Sequence, residues 1–423
     1  MPTVNVPSLP AGRALRRNVA LDLGVALSIG LTTAVAGGLV PTIARQGGLA
    51  PIGLAVMAAA PYLGNLLSAF AGRFGPQRVR GYGVLRITGA LLLVAVALAP
   101  NALLIVAGIC VFQLCLSFGL PFQTRMWGAM YPGAIRGQVI GILGTARAAT
   151  AAAGAMAIGA LADRAGVPLA VTFAGFVGAA FALGALGLRS TAPLPVRTWS
   201  AREAVATLTA SPRLRRLVLA QGLYGAGVIA AVPLYALVNV DRLHLSLGDV
   251  GTIAVAGAAA TMVSYAPFGR AVDRLGYAVG LRGAATLGVL SLACVAVAPA
   301  MAVMLVASIL GGLSSAAMDL GIQGAMAEHT SLSDRAAAMA GWNSLTGLRG
   351  MIAAMAASVA VQLGLVDVTS ALALCLVPAS LGLVLYLDLP VGNVRGWVRK
   401  AGLRGTAAAR DANEALDAGR LAA

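Results

Sequence analysis

The long apolar stretches of the sequence contain, among other charged residues, Asp22, Asp319, Arg86, Arg147 and Arg349. A charge surrounded by hydrocarbon is costly unless it faces protein or water, so such residues are functional candidates. At about 1.5 Å per helical residue, Asp319 would lie about 13 Å from the polar end of its stretch, whereas Asp22 would lie only about 7 Å in. Asp319 is therefore the strongest candidate for chemistry in the middle of a membrane.

Each of these charges has a transport role and a structural alternative. The carboxylate of Asp319 could bind a cationic substrate or carry protons, or it could form a permanent ion pair with Arg147 or Arg349. The planar guanidinium groups of both arginines could bind an anionic group or act as counter-ions. Asp22 is as well placed for a gate or for a bond to a loop arginine as for coupling. The sequence leaves these alternatives open.

Uncharged polar side chains in the same stretches form a second group of candidates. Each could orient a substrate, but polar side chains also hydrogen-bond between membrane helices for modest stability, and packing is the commoner role. The group comprises Gln113, Gln123, Gln221, Gln323, Asn343 and Tyr224.

Twelve apolar stretches must position these residues. We call them spans 1 to 12, and they cover residues 18–43, 49–71, 81–99, 102–124, 137–161, 167–188, 217–240, 249–268, 278–298, 301–326, 337–362 and 368–388. Each is near the roughly 20 residues that a helix needs to cross a hydrocarbon core about 30 Å thick. Lipid permits helices because they satisfy their backbone groups internally. The sequence therefore predicts an all-α integral membrane protein with twelve transmembrane helices.

The charge distribution predicts how these helices are oriented. Hydrophobic residues make up 59% of the chain and charged ones only 10%, against about 25% charged in soluble domains. The basic residues that give the net charge of +16 are concentrated in alternate gaps between the spans. The only Lys or Arg residues in the other gaps are Arg45, Arg164 and Arg242. This is the positive-inside bias. The positive charge is therefore interpreted as a signal of membrane topology and not of nucleic-acid binding. It predicts a multi-pass protein of a bacterial-type cytoplasmic (inner) membrane with both termini cytoplasmic.

The longest polar interruption before the C-terminal tail divides the spans six and six. We predict a cytoplasmic N-tail at 1–17, one six-helix bundle at 18–188, a cytoplasmic linker at 189–216, a second bundle at 217–388 and a basic C-tail at 389–423. The linker contains a segment around Ser200 that could open a short amphipathic helix. The halves look like weak repeats, since similar Leu-Arg-Arg triplets open spans 1 and 7 and Gly-Ala-Met triplets end spans 4 and 10. Repeated halves are typical of secondary transporters, with the substrate site at their interface.

The loop between spans 8 and 9 carries a local motif. Residues 269–276 read G-R-A-V-D-R-L-G and fit the pattern G-x-x-x-D-R-x-G. The pattern resembles a signature loop of the major facilitator superfamily, and the copy at 68–75 between spans 2 and 3 is degraded. The resemblance implies two pseudo-symmetric six-helix bundles, a cavity lined by spans 1, 4, 7 and 10, and a cytoplasmic gate. Glycines would allow the turn and charges would latch helix ends. The gate residues would be Gly269, Arg270, Asp273, Arg274, Gly276, Arg73 and Gly75.

Together these features predict a secondary transporter of a small organic solute that works by alternating access as a monomer. An ion gradient would drive it, with protons favoured, and no cofactor is expected. The sparse charge favours export, although the span 4 arginine and span 5 proline signature of many proton-coupled drug exporters are missing. The sequence shows no metal-ligand cluster, P-loop or nucleophile elbow, which argues against an enzyme. A translocator of lipids or lipid precursors, a non-transporting sensor or assembly protein, and less favourably a channel remain as alternatives.

Overall fold

The computed structural model describes residues 11–67, 78–99, 101–131, 133–189, 200–330 and 335–389, and throughout these ranges the regular structure is helical. In the first half, span 1 consists of Ala11–Ala34, a π-helical segment Val35–Leu39, and Val40–Gln46. Spans 2 to 5 are Pro51–Leu67, Val79–Ala97, Ala102–Met130 and Gly133–Ala165. Span 6 consists of Val167–Ala182 and Gly184–Gly187.

The second half repeats this series after a short linker helix, Ala201–Thr209. Span 7 is Pro212–Leu237 with a π-helical extension Val238–Arg242. Spans 8 to 12 are Leu247–Leu275, Tyr277–Val297, Met301–His329, Arg335–Gln362 and Val368–Leu387. Eleven described helices are long and apolar enough to cross a membrane, and span 2 is an apolar helix described over 17 residues. The prediction of twelve membrane helices is confirmed.

Polar caps set several of the helix ends. Asn101, Ser211 and Asp367 each accept a hydrogen bond from a backbone N–H in the first turn of the helix that follows. Ser246 forms a reciprocal capping box with Asp249 at the start of span 8. Such caps satisfy backbone donors that the helix itself leaves unpaired. A helix can continue through polar residues until a cap or a glycine ends it. Spans 4, 5, 8 and 10 accordingly run several residues past their apolar stretches.

The two halves pack their helices in the same pattern. Span 1 contacts spans 5 and 6, span 3 contacts spans 4 and 6, and span 2 contacts span 4. In the second half, span 7 likewise contacts spans 11 and 12, span 9 contacts spans 10 and 12, and span 8 contacts span 10. The halves meet where span 5 packs on span 8 and span 2 packs on span 11. Two six-helix bundles related by pseudo-symmetry are therefore present.

The bundles approach each other closely at glycines of their interface. A Cβ atom at Gly251 of span 8 would lie 2.6 Å from the carbonyl oxygen of Ala155 in span 5. A Cβ atom at Gly347 of span 11 would lie 2.4 Å from the backbone nitrogen of Leu66 in span 2. Only glycine permits these helix separations, as is common where membrane helices pack tightly.

Between spans 5 and 8, the interface is closed toward one end of the molecule and open toward the other. We call the end that carries the linker helix the linker face and the other end the opposite face. Near the opposite face, Asp163 of span 5 accepts hydrogen bonds from the backbone N–H groups of Leu247 (3.1 Å) and Gly248 (2.6 Å). In the linker-face halves of spans 5 and 8, Cβ atoms at Gly141 and Gly269 would meet no atom within 4 Å. Spans 5 and 8 therefore diverge toward the linker face, whereas spans 2 and 11 stay in contact at Leu66 and Gly347.

Candidate functional site

The structure contains a cavity of about 740 Å³ inside the second bundle. Spans 7 to 11 form its wall, and Tyr62 of span 2 reaches it from the first bundle. Most of the lining is glycine, alanine, serine and apolar side chains. Among the described residues that line it, Asp319 and Arg349 are the two that carry a charge at neutral pH. The cavity thus combines a mainly apolar wall with one acid and one base.

Span 10 presents the Asp319 carboxylate to this cavity. The side chain is exposed, and its Oδ2 atom accepts a 2.9 Å hydrogen bond from the hydroxyl of Tyr265 in span 8. Neither Arg147 nor Arg349 lies within 4.0 Å of its oxygens, so the ion pair considered from the sequence is not formed. Arg147 is an exposed residue of span 5 that acts on Asp319 electrostatically from the facing bundle. Asp319 is therefore free to meet a proton or a ligand from the cavity.

Span 11 holds Arg349 against span 7. Its Nη1 atom donates to the main-chain oxygen of Gln221 at 2.5 Å, while its Nε atom is buried without a hydrogen-bond partner. The Gln221 side chain accepts a hydrogen bond of 2.5 Å from the hydroxyl of Tyr386 in span 12. Gly225 makes room for the guanidinium, because a Cβ atom there would lie 2.6 Å from its Cζ atom. A glycine thus lets an arginine pack directly on a helix backbone.

Tyr224 lines the cavity but also holds the second bundle together. Its hydroxyl lies 3.1 Å from Oγ of Ser314 in span 10, and that serine donates to the carbonyl of Ala284 in span 9. Its ring packs edge-on against Tyr386 with centroids 6.1 Å apart. The tyrosine therefore joins spans 7, 10 and 12 behind the charged groups.

The structure divides the sequence-predicted residues between three environments. The cavity brings together Asp319, Arg349, Gln221 and Tyr224. The interior of the first bundle holds Asp22, Gln113 and Gln123, all buried. Three further candidates are exposed and lie outside the described cavity lining, namely Arg147, Gln323 and Asn343. The sequence did not single out Tyr62 of span 2 or Tyr265 of span 8, because neither lies in the spans that the family resemblance places along the cavity.

The buried group in the first bundle is built around Asp22. This side chain is 0% exposed, and its Oδ2 atom accepts hydrogen bonds from Nε1 of Trp127 (2.6 Å) and from the hydroxyl of Tyr131 (2.9 Å). Asp22 therefore bonds two donors at the end of span 4 and not a loop arginine, because span 4 continues to Met130 and brings Trp127 and the following Tyr131 to span 1. A role for Asp22 in a gate stays a prediction.

Arg86 of span 3 belongs to the same buried group. Its guanidinium lies over the ring of Tyr82 at 5.0 Å and donates to Oε1 of Gln123 at 3.4 Å. Arg86 is only 5% exposed, so its charge depends on these partners inside the bundle. The sequence showed that a charge lies within span 3, but it did not show which residues are its partners.

The predicted gate loop is only partly described. Gly276 joins spans 8 and 9 with a φ of +88°, a conformation that favours glycine. Arg270 and Arg274 are exposed, and Asp273 lies in the last turns of span 8. Arg73 and Gly75 lie outside the described residues. The structure thus supports the turn required by the motif, and the latch itself stays a prediction.

No group of three or more His, Cys, Asp or Glu side chains suited to hold a metal ion occurs within the described ranges. The four cysteines are free thiols in the interior or at the surface of the helices. The chemistry that the site offers is therefore that of one carboxylate, one guanidinium and several hydroxyl groups.

Comparisons with known proteins agree with this architecture. Residues 217–414, a little under half of the chain, match the sequence family described as Major Facilitator Superfamily. The fold is similar to that of a mutant of the nucleoside transporter NupG, with a TM-score of 0.71, 13% identity and coverage of 88% of this chain and 99% of that chain. It is also similar to the human organic anion transporter MFSD10, with a TM-score of 0.63, 17% identity and coverage of 90% and 100%.

A third similar structure is a POT family transporter in complex with 5-aminolevulinic acid, with a TM-score of 0.66, 12% identity and coverage of 89% and 95%. No protein of curated function matches the sequence as a relative. At these identities the structures establish the fold and not the substrate.

Proposed function

We propose that the chain is a secondary transporter of the major facilitator superfamily and that it moves a small organic solute by alternating access to the cavity around Asp319. The matched family model and the similar transporter structures support this proposal. The cavity volume of about 740 Å³ falls within the roughly 300–1,000 Å³ of small-molecule sites. Its mainly apolar lining with a few polar groups also fits such a site. A single chain would be the transporting unit, since both bundles that must move are contained in it.

We further propose that the linker face is cytoplasmic and that the protein resides in the inner membrane. The basic residues concentrated in the tails, the linker and alternate loops support this orientation through the positive-inside rule. With this orientation, the closure by Asp163 lies on the external side and the described state is inward-facing. The opposite-face contacts would have to break for the cavity to open outward.

We assign proton coupling to Asp319. It is the carboxylate that lines the cavity, and it is exposed there with one oxygen held by Tyr265. A carboxylate that alternates between two sides of a membrane can carry a proton in one direction and release it in the other. The sparse charge of the lining favours export of amphipathic compounds over import of a strongly charged nutrient. This accessible carboxylate in the cavity is the observation that carries the proposal.

Flux in proteoliposomes tests this assignment. Purified full-length protein would be reconstituted with a pH-sensitive dye in the lumen, and candidate organic solutes would be added under an imposed pH gradient. For a solute that wild-type protein transports, we expect proton movement that follows the solute. Asp319→Asn should abolish the proton movement, and Tyr265→Phe should alter its dependence on pH while solute still binds.

Asp367→Asn is the matched control, because this exposed acid caps span 12 outside the cavity. It should leave solute-linked proton movement at the wild-type level. Coupled flux in Asp319→Asn with the pH dependence of the wild-type protein would remove Asp319 from the coupling mechanism. Loss of coupling in Asp367→Asn as well would indicate a folding defect and not a role for the cavity.

A further inference from the structure

A second cavity of about 440 Å³ lies between spans 7 and 11. Its lining is mainly apolar and includes Val218, Ala226, Leu345, Leu348, Ile352 and Ala353. Leu348 and Ile352 are 49% and 63% exposed, so the cavity opens at the surface of the bundle. We call this cavity the lateral groove. Apolar exposure on a membrane helix favours contact with lipid tails or with an apolar ligand.

The lateral groove and the central cavity share part of their walls. Gln221, Thr346 and Arg349 line both. The Arg349 guanidinium therefore lies between the lateral groove on one side and the central cavity on the other. A ligand held at this arginine could place one end in each space.

Arg349 itself needs an anionic partner. Its Nε atom is buried without a hydrogen bond, its Nη1 atom is held by a neutral carbonyl, and no carboxylate oxygen lies within 4.0 Å of the described guanidinium. A cation that is buried without a counter-ion is strongly unfavourable in a membrane bundle. Its planar fork of donors matches a carboxylate, phosphate or sulfonate group.

The surrounding charges also favour an anion over a cation. The described charges that act around the cavity are Arg349, Asp319 and, from span 5, Arg147. Two guanidinium groups thus oppose one carboxylate, and the carboxylate already accepts a hydrogen bond from Tyr265. Protonation of Asp319 would increase the positive excess further.

We propose that the transported solute is a single-chain amphipathic organic anion whose anionic group binds Arg349 and whose apolar chain occupies the lateral groove. This inference rests on the proposed transport function and names the substrate class of the same site. The groove volume of about 440 Å³ suits a small-molecule ligand.

Linear alkanesulfonates are suitable probes, because they stay ionised over the whole working pH range and cross lipid slowly. Full-length protein in proteoliposomes would be tested for uptake of radiolabelled octanesulfonate, with ethane-, butane- and hexanesulfonate as competitors. We expect saturable uptake above that of protein-free liposomes. Each added methylene should strengthen competition by about fourfold, the value for transfer of one CH₂ out of water. Octyltrimethylammonium of the same chain length should not compete.

Variants separate the two parts of the site. Arg349→Gln should weaken octanesulfonate binding at least tenfold, and Arg349→Lys should recover part of it because the charge remains. Ala353→Phe should fill the lateral groove, weakening octanesulfonate while leaving ethanesulfonate competition within twofold of wild type. Leu381→Phe is the matched control, since Leu381 is similarly exposed on span 12 but lines neither cavity. It should bind all four sulfonates as wild-type protein does.

The chain-length series in the wild-type protein tests the inference even if a variant fails to fold. Competition that is independent of chain length, or stronger competition by octyltrimethylammonium than by octanesulfonate, would overturn the assignment. If a cationic or neutral solute then drove proton movement that depends on Asp319, the transport function would stand and only the substrate class would fall. If no solute of any charge were transported, the transport proposal itself would fail.

Discussion

The contact between Asp163 and the start of span 8 provides a quantitative test of how the bundles are held together. The carboxylate accepts two backbone N–H groups at the N-terminus of a helix in the other bundle, at 3.1 and 2.6 Å. Because these bonds exist only while the opposite face is closed, removing them should favour a state in which that face is open. We therefore expect Asp163→Ala to shift the equilibrium between the two states.

The magnitude follows from the chemistry of the contact. A hydrogen bond to a charged group contributes about 1.5–3 kcal/mol, and an acid at a helix N-terminus adds about 0.3–1 kcal/mol. Since Asp163 is exposed, values near the lower end apply, and we expect a loss of about 2 kcal/mol, equivalent to about thirtyfold in the population ratio. The neighbouring pair of Arg45 and Asp241, with its shortest distance at 2.6 Å, is half-exposed and should contribute only about 0.2–1 kcal/mol. Asp163 is thus the stronger of these two polar contacts.

Distance measurements between spin labels can follow this equilibrium. Labels at Arg164→Cys in the first bundle and Leu365→Cys in the second, after replacement of the four native cysteines, report the separation of the bundles across the opposite face. Asp163→Ala should add or enlarge a long-distance population. Asp249→Ala is the matched control, because Asp249 caps the same helix end from within its own bundle.

The reasoning would be refuted by either of two results. In the first, Asp163→Ala would show the wild-type distance distribution, so the contact would not hold the face closed. In the second, Asp249→Ala would lengthen the distances as much as Asp163→Ala. Fraying of span 8, and not loss of the bridge between bundles, would then explain the shift.

Three further predictions concern stability, each checked by thermal unfolding of purified protein. Asp22→Ala should lower stability by about 1–3 kcal/mol, because it removes the buried carboxylate to which Trp127 and Tyr131 donate; an unchanged melting temperature would contradict the buried network. Gly350→Ala should cost about 1–3 kcal/mol, since its Cβ would lie 2.2 Å from the ring of Tyr62, whereas Gly283→Ala, with its nearest such contact at 3.9 Å, should be neutral. Hydrogen bonds from the start of span 12 lower the pKa of Asp367 below 3.8. The contribution of Asp367 to stability should therefore be present above pH 3.8 and be lost as the pH falls through the lowered pKa. A stability difference between Asp367→Ala and wild type that persists in strong acid would contradict this.

The membrane helices could be predicted from the sequence because their signal is the length of an apolar stretch, which lipid thickness sets directly. Their ends could not. Span 4 was predicted at 102–124 and the helix runs Ala102–Met130, because hydropathy reports where lipid ends and not where the backbone stops being helical. The extra turns matter, since they carry Trp127 and Tyr131 to Asp22.

The charged members of the site were predictable one residue at a time, and their partners were not. Asp319 and Arg349 stand out in an apolar background, so each is visible without knowledge of the fold. Whether they pair depends on the rotation of spans 10 and 11 about their axes. In the structure, each has a neutral partner instead: Tyr265 donates to Asp319, and Arg349 donates to the main-chain oxygen of Gln221. Such neutral partners are common residue types that hydropathy cannot distinguish from packing residues.

The two bundles share a packing pattern but use their charges differently. In the first, Asp22 and Arg86 are sealed among aromatic rings and hydrogen-bond donors, where a polar network in low dielectric stiffens the helices that carry it. In the second, Asp319 and Arg349 face a cavity and have neutral partners that a ligand or proton can replace. The proton-coupled alternating access that we propose would use one body that keeps its shape and one site whose charge state can change. The difference between the bundles supplies both, with substrate selectivity expected to depend chiefly on spans 7, 10 and 11.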